Sequence, residues 1–537
     1  MKEGLGLGTK YKSGREGMTK YNIGRRKFVA SAATVSAAIA LGIKPGNILA
    51  QEGEILKVRM EGDIQVLDPG YMIGGAETTV QFATLPRLAI PVQDAGGTWG
   101  WAPSDYVEEI KQTDDPLRIT FKLKPGLMWS GGNGEVTAED VKYSFERMKN
   151  TDWSGRWPTL DKVEVTDKQS GTIILSAPFI PTWLVALSSE SGTILPKVLV
   201  EKLPDQKFTT TLPAECGAYT MAEWQPKQKV ILKANPDWKF TKPYFSEVHI
   251  IDVEENKAAE LAYEAGELHG TFVTPDTAAR YKQTPPADSA LLEMAGPYCT
   301  WMGMNCDHEK LKDIRVRKAI QRAIDVDSIL QAAYAGVSPK ANGVVPSGLL
   351  GARSSAKYSY NPDEARALLK EAGVTDLSLE LKTLNQQDRL VASQIIQTNL
   401  ADVGIKVEII PLDSGPFWNL GLEAQGEDWK TLQLWLMRYR TSPDPADMIQ
   451  WFVKSQVGVW NWERWSDPEF EDLWNAGLAE IDTAKRGEIY TRMQEIMEDT
   501  GAYVWITHEP LNYIHKTNVK PGFDAGGELL VERFGKA

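Results

Sequence analysis

The sequence predicts an α/β protein of two or more lobes, and three observations lead there. Helix and strand signals alternate through the chain beyond residue 50, with no repeat and no low-complexity tract. The length of 537 residues is more than one hydrophobic core usually serves. Hydrophobic residues make up 42% and charged residues 24%, the balance of an ordinary globular protein.

Taken in order, the elements begin with a leader. Arg25-Arg26-Lys27-Phe28 precedes a mildly apolar run from Val29 to Ile43, too short to span a bilayer. Ile48-Leu49-Ala50 offers a small residue for cleavage before Gln51, and Met18 is an alternative start. The segment resembles a twin-arginine export signal, although Gly24 stands where Ser or Thr is usual. Arg118–Leu123 then reads as a strand. Thr137 to Asp140 caps a helix whose Val141, Phe145 and Met148 share one face. Lys229–Leu232 is a second strand. Asn361-Pro362-Asp363-Glu364 opens a helix that Gly373 ends. A helix over Leu390–Val403 stops at Gly404 and feeds a strand, Ile405–Ile410. Ser466-Asp467-Pro468-Glu469 reads as a capping box ahead of Phe470, Leu473 and Trp474.

Charge and rare residues exclude several classes. The net charge is −13, and the 487 residues after position 50 hold 50 Lys+Arg against 70 Asp+Glu, a balance of −20. Such a body repels nucleic acid. No later stretch is long and apolar enough for a transmembrane helix. The three cysteines, Cys216, Cys299 and Cys306, exclude a disulfide-stapled scaffold. In an extended stretch Cys299 and Cys306 would stand roughly 23 Å apart, beyond disulfide reach. They read as free or buried thiols, with a bridge to Cys216 left open. The five histidines, His249, His269, His308, His508 and His515, show no metal-ligand spacing, so no metal and no cofactor are expected. There is no G-x-S-x-G elbow and no Walker loop.

Five blocks in order carry a resemblance. Arg118 to Trp129 with Thr137 to Arg147 resembles the signature region of the family 5 extracellular solute-binding proteins. Gly217-Ala-Tyr219 with Ala234 to Trp238, Asp313 to Asp325, Tyr360 to Gly373, and Asn399 to Glu408 resemble further segments of that family. The resemblance implies the two-lobed periplasmic binding protein fold, type II, with an extra subdomain in the first lobe and a hinge. The expected divisions are residues 1–50 for the signal and 53–300 for the first lobe, with its subdomain at about 90–214. The second lobe would take 301–499, and 500–537 would return to the first. The resemblance also implies a periplasmic, monomeric, non-enzymatic receptor that passes a small-molecule ligand to the permease of an ABC importer. A glycosidase-like hydrolase and a metal-chelate or nickel receptor are the alternatives.

The same resemblance suggests site residues. In peptide receptors of the family an Asp three residues before an Asp-Pro pair holds the ligand's ammonium group. Here Thr441 stands three residues before Asp444-Pro445. Arg438 and Arg440 would share one face of a strand and could hold a carboxylate or phosphate, so beside a peptide-like solute an anionic or polyhydroxylated ligand is expected. The chain has 18 Trp, clustered at Trp99/Trp101, Trp153/Trp157 and Trp460/Trp462/Trp465. Trp460, Asn461 and Trp462 would sit in a loop after the inter-lobe segment. Trp301 would lie at the crossing between lobes, and Tyr71 in a first-lobe loop beside the site.

Overall fold

In the computed structural model, residues 54–537 are described apart from 72, 73, 95, 96 and 525. The leader, with Met18, Arg25 and Arg26, lies outside the described residues.

Two sheets organise the chain. The first has seven strands in the order Ser289–Met294, Leu511–Lys516, Gly270–Val273, Ile55–Met60, Glu247–Asp252, Lys229–Ala234 and Tyr219–Gln225. Ile55–Met60 runs parallel to both neighbours, and the outer pairs are antiparallel. The second has five strands in the order Ile405–Leu412, Leu377–Leu384, Leu434–Arg440, Tyr298–Met304 and Tyr503–Thr507. A four-stranded antiparallel sheet, Val107–Gln112, Arg118–Leu123, Ser170–Leu175 and Leu160–Val165, makes a subdomain on the first. Its buried side chains run without a break into those of the seven-stranded sheet.

Local chemistry explains the elements. The Thr137 N–H donates to Asp140 Oδ2 at 2.8 Å, and helix Ala138–Arg147 buries Val141, Phe145 and the adjoining Met148 against the subdomain sheet. Asn361 Oδ1 accepts the Glu364 N–H at 3.1 Å to open helix Pro362–Glu371. The helix expected to start at Ser466 is capped one residue later. There Asp467 Oδ1 accepts the Phe470 N–H at 3.0 Å with Pro468 in the first turn, since a carboxylate is the stronger acceptor for a helix start. Helix Gln387–Asp402 runs up to Gly404, and the glycine's φ of +90° lets the chain turn straight into strand Ile405–Leu412.

Side-chain alternation in the five-stranded sheet feeds two cores. Cys299, Trp301, Trp435, Met437, Tyr439, Tyr503 and Trp505 point to one face, under helices Pro468–Ala479 and Thr483–Asp499. Met302, Met304, Leu434, Leu436, Val504 and Ile506 point to the other, under helices Ile314–Ala323 and Gln387–Asp402. Fully burying each such side chain is worth about 1.5–3 kcal/mol.

The chain passes between the two sheets twice, through Ala295-Gly296-Pro297 and through His508-Glu509-Pro510. Residues 298–300 and 503–507 are therefore strands of the five-stranded sheet, a few residues from the divisions expected at 300 and 500. The cysteines are free. Cys216 belongs to the first core and Cys299 to the second, so the bridge left open to Cys216 is not made. Burial pushes the Cys216 and Cys306 thiols up to about 12. Among the described residues no helix is long and apolar enough to cross a membrane.

Candidate ligand-binding site between the lobes

The lobes meet at two backbone contacts, and the space between these is the candidate cleft. The Trp99 N–H, on a first-lobe hairpin, donates to the Gly348 carbonyl of the second lobe at 2.9 Å. The Ile180 N–H of the subdomain donates to the Leu478 carbonyl at 2.8 Å. A Cβ at Gly348, where φ is +92°, would come within 3.4 Å of the Gly97 carbonyl oxygen, so only glycine fits without strain.

Strand Leu434–Arg440 brings two expected residues to the cleft end of its sheet. Register pairs Arg438 with Thr300 and Arg440 with Tyr298, which puts all four side chains on one face. The two arginines then part company. Arg438 is buried: its Nε lies 3.0 Å from Glu509 Oε2, and its guanidinium rests on the Tyr298 ring at 3.8 Å. Arg440 reaches onward with 54% of its side chain accessible, and its Nη2 is 3.7 Å from Glu528 Oε1 of the first lobe. Burial nevertheless works against its charge, outweighed by the acidic groups around it. Its accessible end thus faces acidic side chains of the first lobe, and the space between the lobes around it forms a chamber bounded by both.

Carboxylates from distant parts of the chain ring that chamber. Glu190 comes from the subdomain. Its Oε1 accepts the Thr78 hydroxyl at 3.3 Å, and its Oε2 is 3.3 Å from Arg156. Burial would raise its pKa, but the charge of Arg156 holds it below the ordinary value. Asp447 of the second lobe accepts the Ser442 N–H at 2.6 Å and Gln450 Nε2 at 2.8 Å, and burial still pushes it up. Asp524 Oδ1 accepts the N–H groups of Gly526 and Glu528 at 2.8 and 2.9 Å. Asp524 and Glu528 are both raised, by burial first, and the Asp524 charge adds to the rise at Glu528. Four carboxyl groups thus face two guanidinium groups.

The other expected residues fall elsewhere. Thr441 is buried. Its hydroxyl donates to the Ser442 carbonyl at 2.9 Å, and its N–H donates to the Pro297 carbonyl in the first crossing at 2.7 Å. Trp301 lies on the opposite sheet face from Arg438, inside the second lobe, with Nε1 donating to Glu463 Oε1 at 2.9 Å. Asn461 is fully buried and donates to the carbonyls of Phe452 and Trp465. Trp462 is in the same core, its Nε1 on the Val459 carbonyl. Trp460 is half-buried, beside Trp418, Trp451 and Tyr439. Tyr71 stands at the joint of subdomain and sheet under Lys207 Nζ at 3.6 Å, next to the bidentate pair of Asp68 and Arg147. Thus only Arg440, of the eight, presents a charged group to the chamber.

Glu190, Asp447, Asp524 and Glu528 went unnoticed in the sequence. They are spread over some 340 positions and no local motif joins them; the nearest signal was the Asp444-Pro445 turn that leads to Asp447. Asp444 itself is structural, paired through both oxygens with Arg486 at 2.8 Å. Among the described residues no group of three His, Cys, Asp or Glu side chains is arranged to hold a metal ion.

The family model described as bacterial extracellular solute-binding proteins, family 5 Middle, matches residues 103–475. The Dipeptide-binding protein of Escherichia coli (strain K12) is 25% identical over 495 residues, covering 83% of this chain and 88% of that protein. A probable D,D-dipeptide-binding periplasmic protein of the same organism is 26% identical over 467 residues, covering 84% and 88%. In fold, the chain is similar to HbpA2 from Haemophilus parasuis, with a TM-score of 0.79 at 20% identity, over 90% of this chain and 99% of that one.

Proposed function

The chain belongs to the bacterial extracellular solute-binding proteins, family 5, and from that premise we propose that it encloses a small zwitterionic, peptide-like solute between its lobes. It hands that solute to the permease of an ABC importer, working as a monomer outside the cytoplasmic membrane after export on its twin-arginine-type leader. It does not transform the ligand. The dipeptide-binding names of its relatives support the ligand class.

One observation carries the reading: the chamber holds charges of both signs, with acid in excess. A ligand carboxylate has Arg440 to meet it. A ligand ammonium has Glu528, Asp524 and Glu190, which replace the acid that position 441 lacks. A purely anionic ligand fits less well, because Arg438 is already engaged by Glu509 and Arg156 by Glu190, which leaves Arg440 outnumbered by carboxylates. Displacing the loose 3.7 Å pair of Arg440 and Glu528 frees both partners for opposite ends of one zwitterion.

Thermal denaturation against a panel tests this. Free dipeptides, N-acetylated dipeptides, dipeptide amides and sugar acids are compared, and the recovered ligand is analysed by mass spectrometry. At a hundred times its Kd a true ligand stabilises by about 2.7 kcal/mol. A free dipeptide is expected to raise Tm, to lose its effect when either end is blocked, and to be recovered intact. A response to sugar acids alone, or conversion of the ligand, refutes the reading.

A further inference from the structure

We propose that Glu509, Arg438 and Tyr298 form a brace that ties the two inter-lobe crossings to the second lobe. The lobes then turn on the first-lobe side of the brace, at Ala295–Gly296 and at Pro510.

Glu509 is the middle residue of the second crossing, and three side chains of the second lobe hold its carboxylate. Oε1 accepts the Thr300 hydroxyl at 2.5 Å and Arg389 Nη2 at 3.0 Å, and Oε2 lies 3.0 Å from Arg438 Nε. Arg389 is itself fixed by donating to the Tyr334 hydroxyl at 2.6 Å. The neighbouring His508 has its Nε2 2.9 Å from the Gly343 carbonyl oxygen. The guanidinium of Arg438 lies between the two crossings, with Glu509 at one side and the Tyr298 ring at the other. Tyr298 directly follows Pro297, whose carbonyl accepts the Thr441 N–H. Both crossings are therefore pinned to the same lobe by one cation.

Separating a buried carboxylate from two guanidinium groups leaves uncompensated charges out of water, so rotation of the lobes avoids this cluster. Pro510, just beyond it, has no N–H to commit to a ladder and marks where the held segment ends. Arg440 is two residues from Arg438 on the same sheet face. The brace thus also sets where the chamber's cation stands, which makes Arg438 and Glu509 positioning residues.

The test needs no ligand and uses the full chain. Spin labels are placed on cysteines at the exposed positions Lys202 of the first lobe and Glu408 of the second; the native thiols are held too high by burial to compete. In Glu509→Gln and Arg438→Gln the inter-lobe distance distribution is expected to broaden about twofold, and amide exchange at Tyr298 and Glu509 to quicken at least about tenfold, while exchange inside helix Gln387–Asp402 is unchanged. Arg438→Lys, which keeps the charge and loses the planar stack, is expected to recover part of the difference. It serves as the decisive variant if the others do not fold. Unchanged width and exchange in a folded variant overturn the brace, as does quickened exchange spread evenly over the second lobe, which marks simple destabilisation.

Discussion

Replacing Glu463 by Gln should remove a loss of stability that the protein suffers as pH rises. Glu463 is 1% exposed, its Oε1 accepts the Trp301 Nε1–H at 2.9 Å, and it is packed within the aromatic core of the second lobe. Burial pushes its carboxyl from 4.5 up to about 8, against the pull of the Trp301 hydrogen bond. The folded chain therefore keeps this proton where the unfolded chain has lost it. Below about pH 4.5 both states are protonated and the residue costs nothing. As pH rises towards 8 the unfolded state gains by ionising, at about 1.4 kcal/mol per pH unit, and stability falls. Across the window the loss approaches about 5 kcal/mol for an isolated site. Gln is shaped like the neutral acid and still accepts from Trp301. Urea unfolding followed by tryptophan fluorescence should find the two proteins about equal at pH 5. At pH 8 the Gln variant should be more stable by several kcal/mol. Parallel stability curves from pH 5 to 8 would refute a neutral, buried acid at this position.

Further outcomes follow from other sites. Arg440→Ala should leave Tm nearly unchanged, because the side chain is half accessible, yet weaken binding of a free dipeptide roughly 10–100-fold by calorimetry. Glu528 is raised to about 8 and Asp524 to about 6, so as pH falls from the alkaline side Glu528 takes up its proton first and Asp524 below neutral, and each then loses its hold on an ammonium group. Dipeptide affinity should therefore drop on acidification, and Glu528→Gln should flatten that dependence. Asp444→Ala strands the buried Arg486 guanidinium and should cost about 3–5 kcal/mol in denaturant titrations. Gly348→Ala strains a positive φ under the Trp99 hairpin, and should weaken ligand binding more than it lowers Tm.

What could be read from the sequence was whatever a short stretch determines by itself. The caps at Thr137 and Asn361, the glycine stop at 404 and the alternating strands depend on neighbours three or four residues away, and all stand where expected. The cap at Asp467 was displaced by one residue because two adjacent side chains could both serve, and acceptor strength decided between them. The site was less legible. Pairing Arg438 with Arg440 on one face was correct as strand geometry, but only the fold brings Glu509 to one of them and Glu528 to the other. Trp301 and Trp462 were drawn to the cleft by their positions along the chain. Strand parity turns the first to the opposite sheet face, and the second packs against Trp435 on that same buried side.

The placement of strand Leu511–Lys516 governs how the molecule is assembled. It lies between Gly270–Val273 and Ser289–Met294, so the seven-stranded sheet stays divided until nearly the whole chain exists. The five-stranded sheet draws on one unbroken run, residues 298–507, and needs nothing made later. During synthesis the second lobe can therefore fold while the first waits, holding an open strand edge, for its last central strand. A chain cut short just after Pro510 keeps a complete second lobe, with Glu509 on its arginines, attached to an unfinished first one, and such a fragment is a natural target for chaperones and proteases.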